Sequence, residues 1–362
     1  MSGSSRRDFL NLRSSGSADA DPSQLAKSQL AKTVPVAGST VHVATTAMGC
    51  EFAVIMNAGS HQHAHSVSDA LQACADIESW LSHYRPSSDL SKVNAAVHGQ
   101  WVNICPELFE LLQQAVGLFQ QTDHAFDIAA GALIQLWKDC RQASRIPLQT
   151  EIDAALLASG SNFVEFNESD LSVKRTTAGV KFDPGAIGKG YALDQAHHWM
   201  TTLPDTPDDF IIHGGHSSLI AAGQHDDQAG WPVGIGNPLL TQKRLGTILL
   251  KDAAMSTSGS NIQFFRHEGK RYGHILDPRT GWPVQEALSV TVVAESAMLA
   301  DVLSTAFFVL GPEKSIQVLE RFPNTGLILI PPPEKGTKIR PIVKGIDPAV
   351  LFWDDAQVIL SP

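Results

Sequence analysis

Apolar and polar positions along this chain follow two periods, and the places where one gives way to the other mark its elements. From Thr40, β-like runs at residues 41–46 and 51–56 flank Met48-Gly49. Residues 67–81 then carry Leu71, Cys74, Ile77 and Leu81 at helical spacing. A turn-like Tyr84-Arg85-Pro86-Ser87-Ser88-Asp89 follows. Residues 106–121 form a second amphipathic helix, with Pro106 near its start and Leu108, Leu111, Leu112, Ala115 and Phe119 on one face. Residues 150–159 read as a short helix with Thr150 as its N-cap and Gly160 just past its end. The second half favours strands, at 162–166, 180–182, 210–213, 231–235, 247–250, 288–293 and 327–330. One helix follows Gly188, and another spans 297–310 before Gly311-Pro312. Strands and helices mix without a βαβ rhythm, so the pattern predicts an α+β fold.

Composition narrows the class. The 362 residues are 43% hydrophobic and 18% charged, which suits a packed core and excludes wholesale disorder. That length allows one large domain or two to three ordinary ones. Lys and Arg number 27 against 37 Asp and Glu, a net charge of −10 with no basic cluster. Bulk attraction to nucleic acid or anionic lipid is therefore not expected, though one small anionic ligand can still find a local positive site. The four cysteines, Cys50, Cys74, Cys105 and Cys140, form no CxxC or Cys/His zinc pattern and read as small apolar residues. Arg6-Arg7 resembles a twin-arginine export signal, but no apolar run follows it. Residues 1–38 thus read as a flexible polar tail, and the chain is expected in the cytoplasm rather than the periplasm. No run of 18 apolar residues occurs, so no membrane-spanning segment is expected.

Three segments offer chemistry. In Phe182-Asp183-Pro184-Gly185-Ala186-Ile187-Gly188-Lys189-Gly190-Tyr191 a strand enters a glycine-rich turn and a helix leaves it. Backbone N–H groups at such a helix start hold phosphate oxygens, and Lys189 adds charge. The spacing is neither a P-loop nor a dinucleotide fingerprint, and a plain packing turn is the alternative. The helix 297–310 is apolar except for Asp301, Ser304 and Thr305, which share one face. A buried carboxylate needs a partner: a metal, an N–H donor or an exposed face. Oxygen-only ligands point to Mg²⁺ or Ca²⁺ rather than zinc, whereas backbone partners would make the same residues structural. In Arg271-Tyr272-Gly273-His274-Ile275-Leu276-Asp277-Pro278-Arg279-Thr280-Gly281, a strand runs into an Asp-Pro turn. His274 there is either a general base or a structural histidine. His213-Gly214-Gly215-His216 reads as a chain reversal, and no Gly-x-Ser-x-Gly elbow is present.

Taken in order, these pieces, together with Ala47-Met48-Gly49, Ala125-Phe126-Asp127, Ser256-Thr257-Ser258-Gly259 and Ala300-Asp301, resemble the ApbE-like FAD:protein FMN transferase family. The resemblance runs from about Thr45 to Gly311, within a domain taken as residues 39–362. It implies a two-lobed α+β fold with mixed sheets and packed helices. It also implies that FAD is the substrate and Mg²⁺ the cofactor. FMN passes to a Thr or Ser hydroxyl of an acceptor flavoprotein, and AMP leaves. By the same resemblance FAD contacts fall on Met48, Tyr84, Ala125, Phe126, Asp127, Asp183, Lys189 and Ile275. Metal ligands fall on Asp301, Thr305 and the Ala186 carbonyl, and the base on His274. His124, Ile128, Cys50 and Ser304 depart from residues common in the family. An FAD pyrophosphatase or a non-catalytic FAD-binding protein would use the same site.

Overall fold

The computed structural model describes residues 38–260, 264–333, 338–354 and 358. The expectations placed on residues 1–37, the polar tail and the Arg6-Arg7 segment, lie outside these residues. An eight-stranded, wholly antiparallel sheet organises the fold. Its strands, in spatial order, are Thr40–Ala47, Cys50–Asn57, Phe210–Gly214, Ser218–Ala222, Ala253–Gly259, Ser289–Ala294, Gly326–Ile330 and Ile342–Lys344. The first two are joined by Met48 and Gly49, both at positive φ (51° and 71°), the geometry that matches strand twist in a two-residue hairpin.

Alternate strand residues go to opposite faces, and that period separates two cores. Val54, Met56, Phe210, Ile212, Leu327 and Leu329 join the main core. Their neighbours Ile55, Ile211, Ile328 and Ile330 join a second core on the other face. A three-stranded sheet of Trp231–Gly236, Arg244–Leu250 and Leu351–Trp353 covers that second face.

Helices fill the main core. They are α1 (Ala64–Leu81), α2 (Asp89–Ala95), α3 (Pro106–Gln121), α4 (Gly131–Gln142), α5 (Gln149–Leu157), α6 (Gly188–Thr202) and α7 (Ala297–Leu319). Gly311, at φ 73° and ψ −179°, breaks α7 where the sequence closes it, and a second helical segment continues beyond Pro312. Among the described residues, no helix is long and apolar enough to cross a membrane.

Three local expectations change. Thr150 is not an N-cap: α5 starts at Gln149, and the Glu151 carboxylate accepts the Leu148 N–H at 2.7 Å. Arg145, outside the helix, fixes that carboxylate by a two-pronged ion pair, so the cap is a first-turn side chain held from outside. Residues 180–182 contribute only an isolated bridge between Lys181 and Ala130. The reason is Asn94, whose side-chain amide takes both the N–H and the carbonyl of Phe182 and leaves no ladder to extend. Residues 161–163 form a 3₁₀ turn, so the strand expected at 162–166 is Val164–Asn167.

One helix contact positions the site. A Cβ on Gly190 would lie 2.3 Å from the Ala297 carbonyl oxygen, so only glycine lets α6 meet the start of α7. Four residues on, the Asp194 carboxylate caps α7, accepting from Ser296 Oγ (2.8 Å), Ala297 N–H (2.6 Å) and Met298 N–H (2.9 Å). Burial raises the Asp194 pKa, with Asp301 adding to the rise against these three donors.

Candidate functional site

The glycine-rich turn and the carboxylate of α7 meet directly. Asp301 is 5% exposed, and its Oδ2 accepts the Gly190 N–H at 3.2 Å. This donor is one of the free N–H groups at the start of α6, where the helix dipole favours an anion. Lys189 Nζ lies 3.8 Å from the same oxygen. Asp301 Oδ1 accepts from Ser218 Oγ (3.1 Å) and Ser256 Oγ (2.9 Å), hydroxyls of two neighbouring sheet strands. Ser258 continues the seam, lying 3.0 Å from Ser304 Oγ and 3.2 Å from Thr305 Oγ1. The face shared by Asp301, Ser304 and Thr305 therefore lies against a ladder of strand hydroxyls.

Gly190 sends its N–H to Asp301 instead of to the Ala186 carbonyl four residues back. Among the described residues no hydrogen bond falls on that carbonyl. An open backbone carbonyl, one carboxylate oxygen with a lone pair to spare, and the Thr305 hydroxyl make an all-oxygen donor set. Such a set fits a Mg²⁺ ion that keeps several of its waters. No group of three or more His, Cys, Asp or Glu suited to a metal occurs among the described residues, so a zinc-type cage has no support.

A second cluster sits at the other end of the turn. Asp183 Oδ1 accepts the Gly185 N–H at 2.9 Å, and its Oδ2 lies 3.3 Å from Lys138 Nζ on α4. The Tyr84 ring is 76% exposed and lies against His83 with centroids 3.8 Å apart and planes tilted by 41°. Asp127 stands next to this cluster, because the Ile128 carbonyl accepts the Asp183 N–H at 2.8 Å. Its carboxylate accepts from Ser161 Oγ (2.6 Å) and the Ala129 N–H (2.8 Å), and burial raises its pKa against those donors. Ala125 and Phe126 are buried in the main core.

Met48 and His274 approach from two further loops. The Met48 N–H donates to Glu78 on α1 at 2.7 Å, and Cys50 packs under Gly215. Burial raises the Cys50 pKa, and the Lys189 charge opposes the rise. His274 is exposed at the end of the strand Lys270–Gly273, next to the buried Ile275. Arg271 ties that strand to the carbonyl of Ser260, two residues beyond Ser258. Lys189 and Asp301 are thus in direct contact, Thr305 is linked to Asp301 through a chain of serine hydroxyls, and Asp183 holds the far side of the turn. Sequence reasoning left out Ser218, Lys138 and His83. The first lies in an unrecognised strand, and Lys138 lies on an unrecognised helix. All four cysteines are free thiols.

A sequence model described as the ApbE family matches residues 38–329. A Treponema pallidum protein named FAD:protein FMN transferase is 31% identical over 271 residues, covering 70% of this chain and 74% of its own length. A Klebsiella pneumoniae protein of the same name is 28% identical over 279 residues, 76% of this chain and 85% of its own. Among solved structures, the ApbE protein of Thermotoga maritima superposes with a TM-score of 0.73 at 29% identity, over 81% of this chain and 94% of that one. The Pseudomonas stutzeri flavinyl transferase ApbE gives 0.72 at 25% identity, over 84% and 94%.

Proposed function

The chain belongs to the ApbE family, and from that premise we propose that it is a Mg²⁺-dependent FAD:protein FMN transferase acting on a Thr or Ser hydroxyl of an acceptor flavoprotein. One observation carries the reading: a buried carboxylate, a lysine and strand hydroxyls converge on the N-terminus of α6. Anion-binding N–H groups beside hard oxygen ligands are what a pyrophosphate under attack requires.

Asp301, Thr305 and the Ala186 carbonyl would hold Mg²⁺, which supplies charge neutralisation at the phosphates. Lys189 and the first turn of α6 orient the pyrophosphate. His274 takes the proton from the acceptor hydroxyl as its oxygen bonds to the phosphorus on the riboflavin side. The bond from that phosphorus to the bridging oxygen breaks, and AMP leaves with the electron pair. Ser218 and Ser256 keep Asp301 aimed, since both donate to its carboxylate.

The deciding experiment incubates the protein with FAD, Mg²⁺ and a candidate acceptor, then measures AMP and the acceptor mass. AMP that forms only with acceptor, in step with an FMN adduct and abolished by EDTA, is the expected result. Steady AMP release without acceptor would make the protein a pyrophosphatase, and bound, unchanged FAD would make it a carrier.

A further inference from the structure

Helix α4 brings a cation to the turn that no motif in the sequence points to. Lys138 Nζ lies 3.3 Å from Asp183 Oδ2 and 5.8 Å from the centroid of the Tyr84 ring. Asp183 engages one of the three ammonium donors, and the Lys138 side chain is half exposed. Beside it the Tyr84 ring stands exposed, backed by His83, as a platform for a planar group. A second observation points the same way. His83 Nε2 is buried without a hydrogen-bond partner, 3.9 Å from the same Asp183 oxygen that Lys138 occupies. A buried polar atom held idle beside an occupied acceptor is costly, unless the acceptor changes hands.

We infer that Lys138 is a specificity-determining ligand residue. It turns from Asp183 to an acceptor atom on the edge of a heteroaromatic ring stacked on Tyr84, while His83 Nε2–H takes its place on Asp183. The inference rests on FAD being the substrate. Both ends of FAD have the required chemistry: the isoalloxazine carries carbonyl oxygens on its pyrimidine edge, and adenine carries ring nitrogens.

The test uses the full chain and Lys138→Met, which keeps an unbranched side chain and removes the charge. Wild type and variant are titrated with FAD, riboflavin and AMP, and their melting temperatures compared. The expected result is roughly tenfold weaker FAD, the scale of one lost charge-assisted hydrogen bond. The same factor should appear in riboflavin or in AMP but not in both, with the melting temperature kept. The fragment that weakens names the end of FAD that Lys138 reads. His83→Phe should weaken FAD in the wild-type background and add nothing in Lys138→Met. Unchanged FAD affinity in Lys138→Met overturns the inference, as does equal loss for both fragments with a lower melting temperature. A wild type that binds FAD yet modifies no acceptor overturns the transferase reading alone.

Discussion

Replacing Gly190 by alanine tests whether the contact between α6 and α7 holds the site together. The new Cβ would lie 2.3 Å from the Ala297 carbonyl oxygen and 2.6 Å from both the Ala297 carbonyl carbon and Met298 Cα. All three are backbone atoms, so no rotamer relieves the clash, and an ordinary contact begins only at 3.4 Å. The helices must therefore separate by about 1 Å. At that separation the 3.2 Å bond from the Gly190 N–H to Asp301 is lost, and the Asp194 bonds of 2.6–2.9 Å are stretched. Overpacking costs about 1–3 kcal/mol and a hydrogen bond to a charged group about 1.5–3 kcal/mol, against a helix-propensity gain near 1 kcal/mol for alanine. The expected net loss is about 2–4 kcal/mol in urea unfolding. A shift of about 1 Å in Asp301 should lower FMN transfer roughly a hundredfold at saturating FAD. Gly188→Ala is the packing control, because its Cβ would meet side chains alone, the tip of Leu81 at 3.1 Å and Pro184 Cβ at an ordinary 3.5 Å. Stability within about 0.5 kcal/mol of wild type and unchanged transfer in Gly190→Ala would refute the idea that this contact sets Asp301.

Four further outcomes follow from the same geometry. His274→Ala should keep FAD affinity within a few-fold and lose roughly 10²–10⁴ in transfer rate. Near wild-type transfer would remove His274 from the mechanism, and joint loss of FAD binding and melting temperature would make it structural. Lys189→Ala should weaken FAD more than riboflavin if, as proposed, its charge acts on the phosphates; equal loss for both ligands would assign it to the fold. Asp301→Asn should lower turnover at limiting Mg²⁺ at least roughly tenfold, about 1.4 kcal/mol in the barrier, and a rate equal to wild type would cancel the metal assignment. Glu151 has its pKa lowered to about 2, by the Arg145 pair first and the Leu148 N–H second. Its ionised form therefore stabilises the fold above the ordinary carboxylate range, and this contribution is lost as pH falls through about 2. Wild type should out-melt Glu151→Gln near neutrality and lose that margin by pH 2; a constant margin would mean the pair does not act through charge.

Much of the frame was legible because burial imposes a period. Strands 41–46, 51–56 and 327–330 and the faces of α1 and α3 all emerge where the sequence places them, since each buries one continuous side. Helix α4 did not emerge. It begins at Gly131, whose absent Cβ would sit 2.6 Å from the Lys181 carbonyl oxygen, so its start is fixed by a contact fifty residues away. Its Leu133, Trp137 and Cys140 form a stripe too short to stand out once the glycine is read as a breaker. Lys138, which projects from that helix to Asp183, was hidden for the same reason.

The strands Ser218–Ala222 and Ala253–Gly259 went unread for a different cause, which concerns the site itself. Ser217-Ser218 and Ser256-Thr257-Ser258-Gly259 put small polar residues where a strand pattern expects alternating bulk. Those serines point into the protein: Ser218 and Ser256 are fully or nearly fully buried. They can be so because Asp301, 83 and 45 residues away, accepts their hydroxyls, and Asp301 can be buried because they donate to it. Neither half of that exchange is visible in a window of ten residues. Local rules fail here because the chemistry selects polar residues for the interior and the tertiary fold satisfies them. An Asp on an apolar helix together with serines interrupting a strand is therefore a signal in its own right. Each anomaly alone resembles a packing defect, and the two explain one another once the sheet brings them within hydrogen-bonding distance.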